Sequence, residues 1–304
     1  MKTAALIVTT GLPRISGIRA LSEQVGAVSA GQRMIAAFQR CGVILTGLVV
    51  GPEDKKAERT FVQEGVIFLR CAADASFDDG VREGLSFLRG KFDRIFVVPG
   101  DTPLFLPSSL EVLLGNDAPI AVPVCSQMHG WPVLLRSDAV EAFLESGQSF
   151  DAFVDAGTME KSCPAVRDSG ILIRSGDMRH RAELIRLHDR QLFRPSVEVA
   201  LTNGAQIFDS RMSMLLHLVA DTRSVLDACS LMQLSYSAAW KLLNQAEDEL
   251  GFSLVRRIRG GPAGSGTELT EKGRALLDAY DRYTMQLGKQ AQELYQLHFS
   301  GLSE

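Results

Sequence analysis

Short apolar runs alternate with amphipathic segments from residue 4 to residue 124, and that alternation narrows the chain to very few folds. The runs are Ala4–Thr9, Leu45–Val50, Val66–Arg70, Arg94–Pro99 and Pro119–Val124. Each is the length of a strand and is almost wholly apolar, as a strand buried on both faces must be. Between them the spacing predicts helices over Gly31–Cys41 (Met34, Ile35 and Phe38 on one face, Gly42 as the stop), Asp54–Glu64, Asp79–Leu88 and Leu106–Leu114. Strand and helix in strict turn mean an α/β, doubly wound, mostly parallel sheet. From about Lys161 the pattern loosens, with a short strand expected at Gly170–Ile173. At 304 residues there is chain for two domains. We read 1–190 as the first, 191–204 as a connector ending in a strand at Val197–Leu201, and 205–304 as the second.

The N-terminus reads as a first strand with no cleavable leader, and no apolar run is long enough to span a bilayer, so no membrane partner is expected. Five cysteines, widely spaced and without a Cys-x-x-Cys pair, point to reduced thiols in a cytoplasm and away from structural zinc.

Open parallel sheets bind ligands at the carboxyl ends of their strands. Two loops fall there. In the first, Thr9–Arg19, Gly11 and Gly17 permit close backbone approach to phosphates, and Arg14 and Arg19 supply positive charge. The second is Pro99-Gly100-Asp101-Thr102-Pro103-Leu104. A carboxylate such as Asp101 suits a Mg²⁺ that bridges nucleotide phosphates. The plainer reading of Gly100–Pro103 is a turn that caps a helix. Its place directly after Ile95–Val98 favours the metal.

These residues resemble the MobA/MocA-like nucleotidyltransferases of molybdenum-cofactor maturation. The resemblance rests on Gly100-Asp101-Thr102-Pro103-Leu104, on Gly130-Trp131-Pro132-Val133-Leu134 (Trp where the family has His), and on Phe77-Asp78-Asp79-Gly80-Val81-Arg82-Glu83-Gly84-Leu85. It implies a nucleotide-diphospho-sugar-transferase, Rossmann-like fold. It also implies nucleotide contacts from Gly11, Gly17, Asp79 and Gly100, and Mg²⁺ on Asp101, with Asp177 the one acid in the segment where the family has another. Arg14 and Arg19 would hold the triphosphate while a pterin phosphate attacks its α-phosphorus. The first loop departs from the family: Arg14 lies one residue early, and Ala20 stands where the lysine belongs. Two outcomes stay open, a working transferase and a domain that keeps the fold without turnover.

The last third has a different signature. Helical spacing runs over Met212–Asp221. Ser224 caps a short helix with Val225, Ala228 and Cys229 inward, and Leu231–Leu234 is the turn. Ser235 caps a helix reaching Leu250, with Ala239, Leu242, Leu243, Ala246 and Leu250 inward. Tyr236, Ser237, Lys241, Asn244 and Gln245 face outward and suit groove edges and phosphates. Arg256, Arg257 and Arg259 then lead into the glycine-rich tip Gly260–Gly266. The net charge of −4 excludes a generally basic coat, so DNA contact has to come from this cluster.

This segment resembles the DNA-binding domain of ModE-type, LysR-like regulators through Ser235-Tyr236-x-Ala238-Ala239-Trp240, Gly251-Phe252-x-Leu254-Val255-Arg256-Arg257 and Leu269-Thr270-x-x-Gly273. The resemblance implies an α+β winged helix-turn-helix that binds DNA through Ser235, Tyr236, Ser237, Lys241, Asn244, Arg256, Arg257 and Arg259. It also implies a homodimer, with Leu277, Tyr280, Met285, Leu287 and Leu294 of a long last helix as its interface. Trp240 reads as core packing. The oxyanion-binding module of those regulators has no counterpart after Leu297. Two functions follow: a transferase using CTP or GTP and molybdopterin fused to a DNA-binding domain, or a molybdenum-linked regulator whose first domain only senses ligand.

Overall fold

The computed structural model describes residues 1–12, 19–52, 59–174, 181–192, 195–204, 206–258 and 266–299. The chain divides into two compact units, Met1–Phe193 and Arg194–Glu304.

The first unit is built on a seven-stranded sheet. Its strands are β1 (Thr3–Val8), β2 (Leu45–Val50), β3 (Val66–Arg70), β4 (Arg94–Pro99), β5 (Ile120–Ala121), β6 (Val133–Arg136) and β7 (Lys161–Ser162). Their order is β7-β5-β6-β4-β1-β2-β3. Only β6 runs antiparallel to its neighbours. The register pairs Val8 with both Val49 and Pro99, so β1, β2 and β4 end at one level and their following loops share one edge.

Helices α1 (Ala30–Arg40), α2 (Phe77–Leu88), α3 (Pro107–Leu114), α4 (Ser137–Ser146), α5 (Phe150–Asp155) and α6 (Ala182–Leu192) cover the sheet. Alternate residues of β1 serve opposite faces, as the pleat requires. Ala5 and Ile7 share a buried cluster with Phe38 of α1 and Leu110 of α3. Leu6 and Val8 face α2, where a Cβ on Gly84 would lie 2.3 Å from Leu6 and one on Gly80 2.8 Å from Val8. The expected helical glycines are thus contact points that let α2 lie close on the sheet.

Three expectations in this unit need correction, and in the second unit the strand expected at Val197–Leu201 is instead Ala200–Thr202. The run Pro119–Val124 is not one strand. It breaks after Ala121, and Val124–Cys125 pairs instead with Met128–His129; Pro119 and Pro123 have no N–H for a ladder. Ser169–Leu172 is a 3₁₀ turn, because the Asp168 carboxylate accepts from Gly170 N at 2.8 Å and caps it. Of the helix expected at Asp54–Glu64, residues 53–58 lie outside the described residues, and Arg59–Phe61 form a 3₁₀ turn.

The second unit has a hairpin of β8 (Ala200–Thr202) and β9 (Gln206–Asp209). Helices α7 (Ser210–Thr222), α8 (Val225–Leu231) and α9 (Tyr236–Leu250) follow, then the strand pair β10 (Val255–Ile258) and β11 (Gly266–Leu269), and a 29-residue helix α10 (Glu271–Phe299). Each of the first three helices has its oxygen cap: Asp209 to Met212 N, Ser224 to Asp227 N and Ser235 to Ala238 N. The Leu-Thr-x-x-Gly motif has two functions. Thr270 Oγ1 donates to Ser253 O and accepts from Gly273 N. Gly273 lies so near Leu254 that a Cβ there would come within 2.2 Å of its carbonyl oxygen. That pins the start of α10 to the strand entry.

Candidate ligand cleft and nucleic-acid interface

The common edge of β1, β2 and β4 gathers Thr9, Thr10, Gly11, Gly100 and Asp101. Gly100 N donates to Val8 O at 2.8 Å and Thr9 Oγ1 to Val49 O at 2.8 Å, which fixes both loops to the strand ends. Gly11 takes φ +65°, and a Cβ there would lie 2.3 Å from Phe77 N. In the described structure its freedom serves a close approach to the start of α2. Thr10 Oγ1 completes the seam by donating to Ser76 O at 2.9 Å.

Asp101 is buried, with 5% of its surface exposed. Its carboxylate forms an ion pair with Arg174, whose Nη1 also donates to Thr102 Oγ1 at 3.3 Å. Nothing in the sequence marked Arg174. It reaches Asp101 because Asp168 organises the segment before it. Asp168 accepts from Leu106 N and Ser109 Oγ, each at 2.7 Å, as well as from Gly170 N. Gly170 then passes so close that a Cβ would meet Leu104 O at 1.9 Å. Burial raises the Asp168 carboxyl above its usual range, against the lowering effect of these three bonds.

Asp151, at the start of α5, lies in the same field. Burial, then Asp78 and Asp155, raises its pKa, and Arg174 lowers it. Asp78 itself accepts from Phe150 N at 2.6 Å. Trp131, in the family's histidine position, lies in an aromatic group, stacked on Phe150 (centroids 5.9 Å apart) and edge-on to Phe77.

Asp79 does not point into this group. Its Oδ2 accepts from Ser76 N at 2.9 Å and Ser76 Oγ at 2.7 Å, closing a capping box. The Ser76 side-chain bond is also the main cause of its lowered pKa. It borders a shallow cleft of about 310 Å³ with Arg70, Cys71, Asp74 and Glu83. Burial, then Glu83 and Asp79, pushes the Cys71 thiol up to about 11. Arg14, Gly17, Asp177 and Arg259 lie outside the described residues, as does the side chain of Arg19, which opens a short helical turn. Ala20 is buried. Asp101 supplies the kind of hard oxygen a divalent cation needs, and its Oδ1 is engaged by Arg174. Among the described residues no cluster of three or more His, Cys, Asp or Glu is placed to hold a metal.

In the second unit Ala239, Leu243 and Ala246 of α9 are buried, while Ser235, Tyr236, Ser237, Lys241, Asn244 and Gln245 are exposed together. Glu247 holds the turn that follows, accepting from Leu254 N at 2.6 Å and Val255 N at 3.1 Å. The wing arginines differ in their partners. Arg256 pairs across the ladder with Glu268. Arg257 lies over the Trp240 ring, 5.1 Å from its centroid. Trp240 is therefore half-buried support for a cation as well as packing. Arg223 also faces the cleft of about 430 Å³ between wing and α9, with Tyr236, Trp240 and Arg257. Of the residues expected at an interface between two copies, Leu277 and Tyr280 are 3% and 4% exposed and pack within their own unit. Tyr280 Oη donates to Val199 O at 2.7 Å.

A mostly parallel sheet with an acid at its carboxyl edge, in one chain with a capped helix-turn-helix and an arginine-bearing strand pair, is the architecture of a nucleotidyltransferase-like domain fused to a helix-turn-helix regulator domain. Residues 14–155 match the MobA-like NTP transferase domain, and residues 211–274 match the bacterial regulatory helix-turn-helix protein, lysR family. The chain is similar to the molybdenum transport protein ModE of Herbaspirillum seropedicae, at 38% identity over 69 residues, 23% of this chain and 26% of that protein. It is also similar to the molybdenum transport protein ModE of Azotobacter vinelandii, at 34% over 77 residues, 25% and 28% of the two chains. It thus spans about a quarter of the length of these curated relatives, through its C-terminal region. Among solved structures, a homologue of Mycobacterium tuberculosis rv0371c from Mycobacterium sp. strain JC1 superposes with a TM-score of 0.51 at 16% identity. That match covers 62% of this chain and all (100%) of the other. It bears on the fold alone.

Proposed function

We propose that this chain is a cytoplasmic transcription regulator whose first unit binds a nucleoside triphosphate, CTP or GTP, together with or in place of a molybdopterin-type ligand, and whose second unit binds DNA. The observation that carries the reading is one chain joining a strand-end loop with a buried acid, Asp101, to an exposed recognition face beside Arg257. The molybdenum link is supported twice over, by a MobA-like domain and by ModE-type relatives of the other unit.

In DNA binding, Ser235, Tyr236, Ser237, Lys241 and Asn244 meet a groove edge, and Arg256, Arg257 and Arg259 meet phosphates. Arg257 is held ready by Trp240, whereas Arg256 must leave Glu268. A homodimer would use the exposed far half of α10, where Tyr283, Met285, Leu294 and Leu297 are uncovered.

In ligand binding, Asp101 with Asp177 would hold Mg²⁺, and Arg14 and Arg19 would hold the phosphates. Gly11, Gly17 and Gly100 would let backbone approach them, whereas Asp79 is held in the Ser76 cap. The ion would supply charge neutralisation on a triphosphate. A pterin phosphate transfer with loss of diphosphate is the second reading. The presence of an acid on the sheet edge favours it. Its engagement by Arg174, and a buried Ala20 in the lysine position, favour sensing.

Calorimetric titration of the full chain with CTP and with GTP, with and without Mg²⁺, tests the proposal. One nucleotide should bind, and Asp101→Ala should abolish the Mg²⁺-dependent part. Binding that is unchanged in Asp101→Ala removes that residue from the role.

A further inference from the structure

A buried carboxylate needs hydrogen bonds or an opposite charge to offset its lost hydration, and at Asp101 the protein provides a charge of its own. The Asp101 side chain is 7% exposed, whereas that of Arg174 is 35% exposed. The acid is therefore enclosed and its partner has one side in solvent. The approach is also built. Asp168, with three hydrogen bonds, and Gly170, pressed against Leu104, deliver residue 174 to the end of β4. A second acid, Asp151, feels the same guanidinium.

We propose that Arg174 is a resident counter-cation that competes with divalent metal for Asp101. Asp101 then accepts a metal ion readily only when an anionic, phosphate-bearing ligand draws the guanidinium away. The proposal deepens the nucleotide reading above and rests on it for the identity of that ligand. The exchange is balanced in charge. A guanidinium leaves a carboxylate for a phosphate, to which it binds through two parallel N–H groups, and the carboxylate gains the cation's oxygen-ligand site. Metal and phosphate would then bind with positive coupling, and metal alone would bind poorly.

The test uses Mn²⁺ as probe, read by the loss of its free-ion paramagnetic resonance signal on titration with the full chain. Wild type should bind Mn²⁺ weakly and Arg174→Gln at least tenfold more tightly. Adding Asp101→Asn to Arg174→Gln should erase the gain. Inorganic phosphate, itself only a weak ligand of Mn²⁺, should tighten Mn²⁺ binding by wild type more than by Arg174→Gln. An affinity in Arg174→Gln equal to or below that of wild type overturns the proposal, as does no detectable binding in either. Arg174→Lys, which keeps the charge but loses the planar pair of N–H donors, should fall between the two and covers the case in which the glutamine variant does not fold. Nucleotide titration separates the failures. If neither CTP nor GTP binds while Arg174→Gln still tightens Mn²⁺, the function is wrong and the competition stands. If a nucleotide binds and Arg174→Gln changes nothing for Mn²⁺, the function stands and the competition is wrong.

Discussion

Asp101 and Arg257 are both charged groups whose use depends on what holds them before a ligand arrives. Asp101 is enclosed and already paired, so any cation meets competition. Arg257 is stacked on an indole and exposed, which leaves its N–H groups available to a phosphate. Replacing Arg257 by Ala should weaken DNA binding for all sequences alike and reduce the slope of log affinity against log salt by about one. Fluorescence anisotropy of a labelled duplex over a range of salt measures it, and an unchanged slope would remove Arg257 from the interface. The place of Asp101 in a strand-end loop was legible in the sequence because only Gly100 separates it from β4. Arg174 was not, since it lies 73 residues away and reaches the acid through the Asp168 latch. Asp79 was misleading for the opposite reason. A Ser-x-x-acid spacing caps a helix and also resembles a ligand motif, and here Ser76 holds the carboxylate.

Helix α6 shows how an element can be secured by a group that must stay neutral. Arg33 of α1 is fully buried. It donates to Val25 O, contacts His188 Nδ1 at 3.2 Å and pairs with Asp189, both on α6. Burial, and then the Arg33 guanidinium, pulls the His188 pKa down to about 4 from 6.5. The folded value lies below the unfolded one, so the unfolded chain takes the proton first. Stability from this group is complete above pH of about 6.5 and is lost as pH falls towards about 4, by roughly 3 kcal/mol over the window. Urea unfolding followed as a function of pH should show that loss, and His188→Gln should flatten it. An equal acid loss in the variant would assign the effect elsewhere. Elements made of continuous apolar runs, β1 to β4, were legible because burial on both faces leaves no polar alternation to misread. The region after residue 118 was less so. Its strands are two to four residues long, prolines interrupt them, and a side-chain cap from Asp168 outweighs the apolar run Ile171-Leu172-Ile173.

The two units carry separate chemistry, and the proposed regulator requires a free-energy link between them. Coupling of this kind is typically about 1–3 kcal/mol, or roughly 5–150-fold in affinity, and it is reciprocal. Arg174 gives the ligand a means of changing the first unit, since a phosphate that takes the guanidinium also breaks its bond to the β4 loop. The most direct measurement is the affinity of the full chain for a duplex selected on it from a random-sequence pool, by fluorescence anisotropy, with no nucleotide, with CTP and with GTP, each in Mg²⁺. The account predicts that one nucleotide shifts the dissociation constant at least fivefold and that Arg174→Gln alters the shift. The same dissociation constant under all three conditions would contradict it.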